Sequence, residues 1–94
     1  MTHNEISKAL ALAIGWPEVD LLDGICWVSP GKLELWREFD YRNWNVISQI
    51  AQHYNCFPIK ASDGLWFTHE AKYFECATTP QEAIAMSVIN RIKP

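Results

Sequence analysis

The chain has 94 residues, 49% of them hydrophobic and 20% charged, with a formal net charge of −3. Domains run to roughly 100–150 residues, so residues 1–94 are read as a single globular domain with enough core to fold without staples. Lys and Arg are scattered and form no basic stripe, which argues against nucleic acid as a partner, and −3 is too weak a charge for a mimic of DNA.

Thr2-His3-Asn4-Glu5 opens the first apolar-periodic stretch and Thr79-Pro80-Gln81-Glu82 opens the last. Each matches a capping box, in which a Thr hydroxyl and a Glu side chain satisfy one another's backbone N–H groups. The first helix is predicted over 3–14, with Ile6, Leu10 and Ile14 in one stripe, Gly15 as its cap and Pro17 barring continuation. Ile25-Cys26-Trp27-Val28 and Leu33-Glu34-Leu35-Trp36 read as short strands joined through Ser29-Pro30-Gly31-Lys32, with a structured loop as the alternative. A second helix is predicted from an N-cap at Asp40 to Tyr54, with Asn55 as terminator.

Asp63-Gly64 between Phe57–Ser62 and Leu65–His69 is a hairpin signal. A two-residue turn there pairs Ala61 with Trp66 and Ile59 with Thr68. A third strand, Tyr73–Ala77, sets Cys76 against Trp66 and Phe74 against Thr68 if the loop before it holds three residues, and Cys76 against Leu65 if it holds two. Phe57, Ile59, Ala61, Trp66, Thr68, Phe74 and Cys76 share the core face of this meander. The last helix is predicted over 80–92, with Ile84, Ala85, Val88, Ile89 and Ile92 as its apolar stripe. The expected fold class is therefore α+β, an antiparallel sheet of three or more strands with three helices.

Gly15-Trp16 after the first helix, Trp44-Asn45-Val46-Ile47 in the second, Gly64-Leu65-Trp66 in the hairpin and Thr79-Pro80-Gln81-Glu82-Ala83-Ile84 into the last helix resemble one known pattern. It is that of small phage and prophage proteins described as the phage ABA-sandwich domain, over about two-thirds of the chain. The resemblance implies a sheet with helices on both faces, an α/β/α sandwich, and a phage genomic setting. The chain departs from that pattern between Val19 and Phe39, where longer Trp-bearing material replaces a short Pro- and Tyr-containing connection.

No motif here carries an enzymatic signature. Cys26, Cys56 and Cys76 form no C-x-x-C pair and have no His at ligand spacing, so no metal and no cofactor are expected. His69 and Cys76 fail as a nucleophile pair: they point to opposite sheet faces or, in the alternative register, lie about 13 Å apart. His53 and His3 read as a helix-end residue and an idle terminal one. The four glycines are spread singly, so no phosphate loop exists. Neither a signal-peptide pattern nor an apolar run of about 20 residues is visible, which suits reduced thiols in a host cytoplasm and no membrane.

One constellation stands out. Trp27, Trp36, Phe39, Tyr41 and Trp44 fall among Arg37, Glu38 and Arg42, and Trp, Tyr and Arg dominate binding hot spots. The bland reading is that these aromatics close one end of the core. The sharper one makes Trp27, Trp36, Arg37, Tyr41 and Arg42 a protein-binding patch. The expectation is a non-enzymatic phage or prophage accessory protein that binds a host or phage protein, one version being inhibition of a host defence complex. A self-associating structural component, closed by homodimerisation, is the alternative. A thiol-dependent enzyme using Cys76 or Cys56 comes third.

Overall fold

Thr2 caps the first helix, α1 (His3–Ala13), with the reciprocal pair written in its sequence. Its hydroxyl accepts from the Glu5 N–H at 3.2 Å, and the Glu5 carboxylate accepts from the Thr2 N–H at 3.1 Å. Those bonds favour the ionised acid and hold the Glu5 carboxyl below its usual range. The computed structural model describes residues 2–31, 35–68 and 77–92. After α1 come β1 (Glu18–Leu22), β2 (Ile25–Ser29), β3 (Arg37–Glu38), α2 (Trp44–Tyr54), β4 (Pro58–Lys60), β5 (Trp66–Thr68) and α3 (Pro80–Ile92). The class is α+β, with three helices, a three-stranded antiparallel sheet and a two-stranded one among the described residues.

The three-stranded sheet lies where the sequence was hardest to read. Leu22 pairs with Ile25 across Asp23-Gly24, whose φ angles of 53° and 74° are both positive. That is the type I′ geometry, the two-residue turn whose twist matches the strands it joins. β2 takes the strand expected over 25–28, but its first partner is β1. Its second, β3, comes later than the expected strand at 33–36 and sets Trp27 against Glu38 and Val28 against Arg37. Residues 33 and 34 of that expected strand lie outside the described residues.

The second hairpin differs from expectation by one residue of register. Pro58 opposes Thr68, Ile59 opposes Phe67 and Lys60 opposes Trp66. The reason is local. The Gly64 N–H donates to the Ala61 carbonyl and Gly64 has φ 87°, whereas Asp63 keeps a negative φ. Ser62 and Asp63 thus form the centre of a type I turn with Gly64 in the left-handed position after it, the longer hairpin loop. The slip puts Lys60 beside Trp66, with Nζ 6.0 Å from the ring centroid, and leaves Phe57 51% exposed instead of on the core face. Of the expected third strand only Ala77 is described. It bridges Trp66 with two backbone bonds of 2.8 Å, while Phe74 and Cys76 lie outside the described residues.

The resemblance implies one sheet between helices; among the described residues the strands divide into two sheets. α1 packs on β1 and β2, α3 packs on β4 and β5, and α3 also touches α1 and α2. The core they enclose includes Ile6, Leu10, Cys26, Val28, Ile47, Ile84 and Val88. At the start of α3 the Thr79 hydroxyl accepts from the Glu82 N–H at 3.2 Å, as expected. The Glu82 carboxylate, however, accepts from the Thr78 hydroxyl at 3.3 Å, so the return half of the box goes to a neighbour. Thr68 and Ser87, facing one another between β5 and α3, share a hydrogen bond of 2.5 Å.

The second helix begins later than predicted. Asp40 spends its carboxylate on Arg42, accepting from the Arg42 N–H and Nε at 3.0 Å and from Nη2 at 2.9 Å. Asn43 becomes the N-cap of α2, accepting from the Asn45 N–H at 3.0 Å. The intervening turn drives Tyr41 into the core, where it is 1% exposed. Its backbone N–H donates to Ser7 Oγ at 3.2 Å, and its hydroxyl lies 2.6 Å from His3 Nδ1. His3 is therefore engaged, not idle.

Two substitutions check this account in urea denaturation. Gly24→Ala keeps the space, since an added Cβ would meet only Asn4 Nδ2 at 3.8 Å, but it must hold φ 74° and should cost about 1–2 kcal/mol. Tyr41→Phe keeps the ring and removes the bond to His3, for an expected loss of about 0.5–1.5 kcal/mol.

Candidate functional site

Both helices that flank the candidate site end in the same way. At the end of α1 the Trp16 N–H donates to the Ala11 carbonyl at 3.1 Å and the Gly15 N–H to the Leu12 carbonyl at 3.2 Å, with Gly15 at φ 99°. At the end of α2 the Cys56 N–H donates to Ala51 at 2.9 Å and the Asn55 N–H to Gln52 at 3.4 Å, with Asn55 left-handed at φ 55°. These are Schellman terminations, which satisfy the last free carbonyls and turn the next side chain back onto the helix. The first returns Trp16 against the core, and the second buries Cys56 completely.

Between these two helix ends and the β2–β3 pair lies a cleft of about 520 Å³. That volume falls within the usual range for small-molecule sites, roughly 300–1,000 Å³. Ile14 and Trp16 enter it from α1, and Val28 and Phe39 from the sheet side. Phe39 is held there by its N–H, which donates to the Cys26 carbonyl at 2.8 Å. α2 contributes two neighbouring ridges of four-residue spacing. Val46, Ile50 and Tyr54 are buried or half-buried and form the floor. Asn45, Gln49 and His53 are exposed and form a polar rim. Arg37 and Glu38 close the rim from β3. A shallower hollow of about 330 Å³, lined by Gly15, Pro17 and Pro30, adjoins the cleft at Ile14 and Trp16.

The five residues expected to form a patch do not share one surface. Tyr41 is core, which corrects its reading as a contact residue: its ring is the largest fully buried side chain among the described residues. Burial, followed by the nearby Glu82 charge, pushes its phenol up from the ordinary value. Arg42 is exposed but tied to Asp40, and that pairing raises its own pKa. Trp27 is half-buried and alternates with the buried Cys26 and Val28, so it stands on the outer face of the sheet beside Asp20 and Glu38. Trp36 is 45% exposed, just before β3. Arg37 alone of the five lines the cleft.

The residues missed by the sequence reading are Trp16, Val46, Gln49 and His53. A signal was present: on α2 a ridge of Asn, Gln and His runs directly beside an apolar one, the edge of an amphipathic groove. It reads as a solvated face until another element stands opposite. His53 does sit in the last turn of α2, its ring edge-on to Tyr54 at 4.8 Å between centroids.

The two described thiols offer little chemistry. Cys26 is buried, and burial followed by the Asp40 charge pushes its pKa up, away from the thiolate form. The Cys56 thiol is buried on the Tyr54 carbonyl at 3.4 Å. Cys76 and His69 lie outside the described residues. Among the described residues no group of three His, Cys, Asp or Glu is placed to hold a metal ion, and no helix is long and apolar enough to cross a membrane. The chain matches no family model, no curated protein and no solved structure.

The Asp40–Arg42 pair beside the site makes an acid-titration prediction. Hydrogen bonds from the Arg42 side chain hold the Asp40 carboxyl below its ordinary value of 3.8. A depressed pKa contributes stability above the unfolded-state value, and that stability is lost as pH falls through the folded-state value. Asp40→Asn should therefore lower stability near pH 6 by at most about 1 kcal/mol, given solvent screening, and the difference should shrink as pH falls below 3.8 and through the lower folded-state value. Thermal melts of both proteins across that range provide the check.

Proposed function

We propose that the chain is a non-enzymatic accessory protein of a phage or prophage that acts by binding another protein. The single observation carrying the binding reading is the cleft: an apolar floor, built by three separate parts of the fold and bordered by exposed polar side chains. Such a surface fits an extended or helical segment that inserts apolar side chains. The phage setting rests on the resemblance of Gly15-Trp16, Trp44-Asn45-Val46-Ile47 and the Thr79–Ile84 stretch to the phage ABA-sandwich pattern. The non-enzymatic reading rests on the absence of a catalytic motif in the sequence and on the burial of Cys26 and Cys56.

Self-association is supported by a different feature. β1 stands at the edge of its sheet and ends in Leu21 and Leu22, which are 36% and 59% exposed. Edge strands with exposed apolar residues are templates for pairing with a second copy. Light scattering at micromolar concentration separates the readings, a monomer disfavouring self-assembly.

The heteromeric reading has a more direct test. Gln49→Trp fills the mouth of the cleft from an exposed helix position and should change stability by no more than about 0.5 kcal/mol. A host protein captured by the wild-type chain should be lost from the Gln49→Trp variant and kept by Trp36→Ala, which lies away from the floor. Capture indifferent to Gln49→Trp would remove the cleft from the binding reaction.

A further inference from the structure

We infer that the cleft takes an acidic, apolar peptide segment of a partner protein, with a large apolar side chain on the floor and a neighbouring carboxylate on Arg37. This deepens the docking reading above and rests on it. Arg37 is the register partner of Val28, whose side chain is buried, and cross-strand partners share a face of the sheet. The Arg37 side chain therefore leaves the sheet on the side where the cleft opens. It is exposed, and the ion pair found among the described residues belongs to Arg42 and Asp40 instead.

Glu38 also lines the rim, but its register partner is Trp27, its charge is felt at Arg42, and no ion pair joins it to Arg37 among the described residues. Across the cleft, Asn45, Gln49 and His53 add amide and imidazole groups and no acid. Among the described residues the rim thus presents a guanidinium outside any ion pair, over an apolar floor. A guanidinium offers a planar fork of donors matched to a carboxylate, and its attraction strengthens where apolar walls displace water. A purely apolar occupant would cover Arg37 without answering its charge, which costs binding energy. The floor is aromatic on both sides, Trp16 and Phe39 against Tyr54, so the favoured anchor is a large or aromatic side chain.

The experiment titrates the intact protein with two capped dipeptides, N-acetyl-Trp-Glu-amide and N-acetyl-Trp-Gln-amide, and follows backbone amide NMR shifts. Saturable shifts gathered on Arg37, Val46, Ile50 and His53 are expected with the acidic peptide. Its affinity should exceed that of the neutral peptide by about three- to fivefold at low salt, shrinking as salt rises. Arg37→Ala should abolish that preference, the two peptides then binding the variant with equal affinity. Equal affinity for the two peptides would overturn the acidic assignment and leave the docking reading standing. Cleft shifts with neither peptide would overturn both. Indole-3-acetate binding as tightly as the acidic peptide would overturn the peptide assignment in favour of a small organic acid.

Discussion

Tyr41 is the joint on which this architecture turns. Its side chain is almost wholly buried, its backbone N–H donates to Ser7, and its hydroxyl meets His3. Both partners lie on α1, one turn apart, so one residue ties the segment after β3 to the first helix at two points. The chain can place Tyr41 there only by turning sharply at Asp40 and Arg42, and this turn delays the start of α2 to Trp44. The axis of α2 is thereby set relative to α1 and the sheet. The buried hydroxyl also needs a partner, since an unpaired one would cost about 1–3 kcal/mol; a histidine in the first turn of α1 supplies it.

The cleft follows from that arrangement. α1 and α2 do not pack closely on one another; α3 touches both and holds them apart. Where they end, each turns its chain back with the same pair of hydrogen bonds, so their last side chains face the space beside β2 and β3. A cavity between three elements is a common outcome when a small core is completed by a helix that bridges two others. Here the outcome is an apolar floor whose residues come from widely separated stretches of the chain. The chemistry of the rim is set independently, by the alternation of β3 and by a ridge on α2 that plays no part in the core.

How much of this could be read beforehand varies by element and has a physical reason in each case. The helices were legible because their signals are local: Thr2 with Glu5, Gly15 before Pro17, Asn55, and Pro80 after Thr79 act within a few residues. Asp63-Gly64 was recognised as a turn, but the dipeptide fits both a two-residue loop and a type I turn followed by a left-handed glycine. The choice between them moves the side chains of one strand to the other face relative to its partner. Asp23-Gly24 carries the same signal and forms the tighter turn, but the strands it joins lack clean alternation and do not mark it as a hairpin. Glu18–Leu22 is exposed over most of its length and so carries no buried face to announce itself. Within residues 25–44 the aromatics divided: Phe39 and Tyr41 went to the core, Trp36 and Trp44 to the surface, and composition alone could not sort them.

By itself, the sequence determined where the first and last helices start, where the first two stop, and that the chain reverses at Asp63-Gly64. Those features depend on hydrogen bonds and dihedral preferences spanning at most one helical turn. Only the tertiary structure decided which strands share a sheet, that Tyr41 is buried while Trp36 is not, and that Arg37 stands over the floor formed by Trp16, Val46 and Tyr54. Such outcomes depend on which apolar faces meet, and burial is non-directional: a side chain records how strongly it avoids water, not which distant neighbour will cover it.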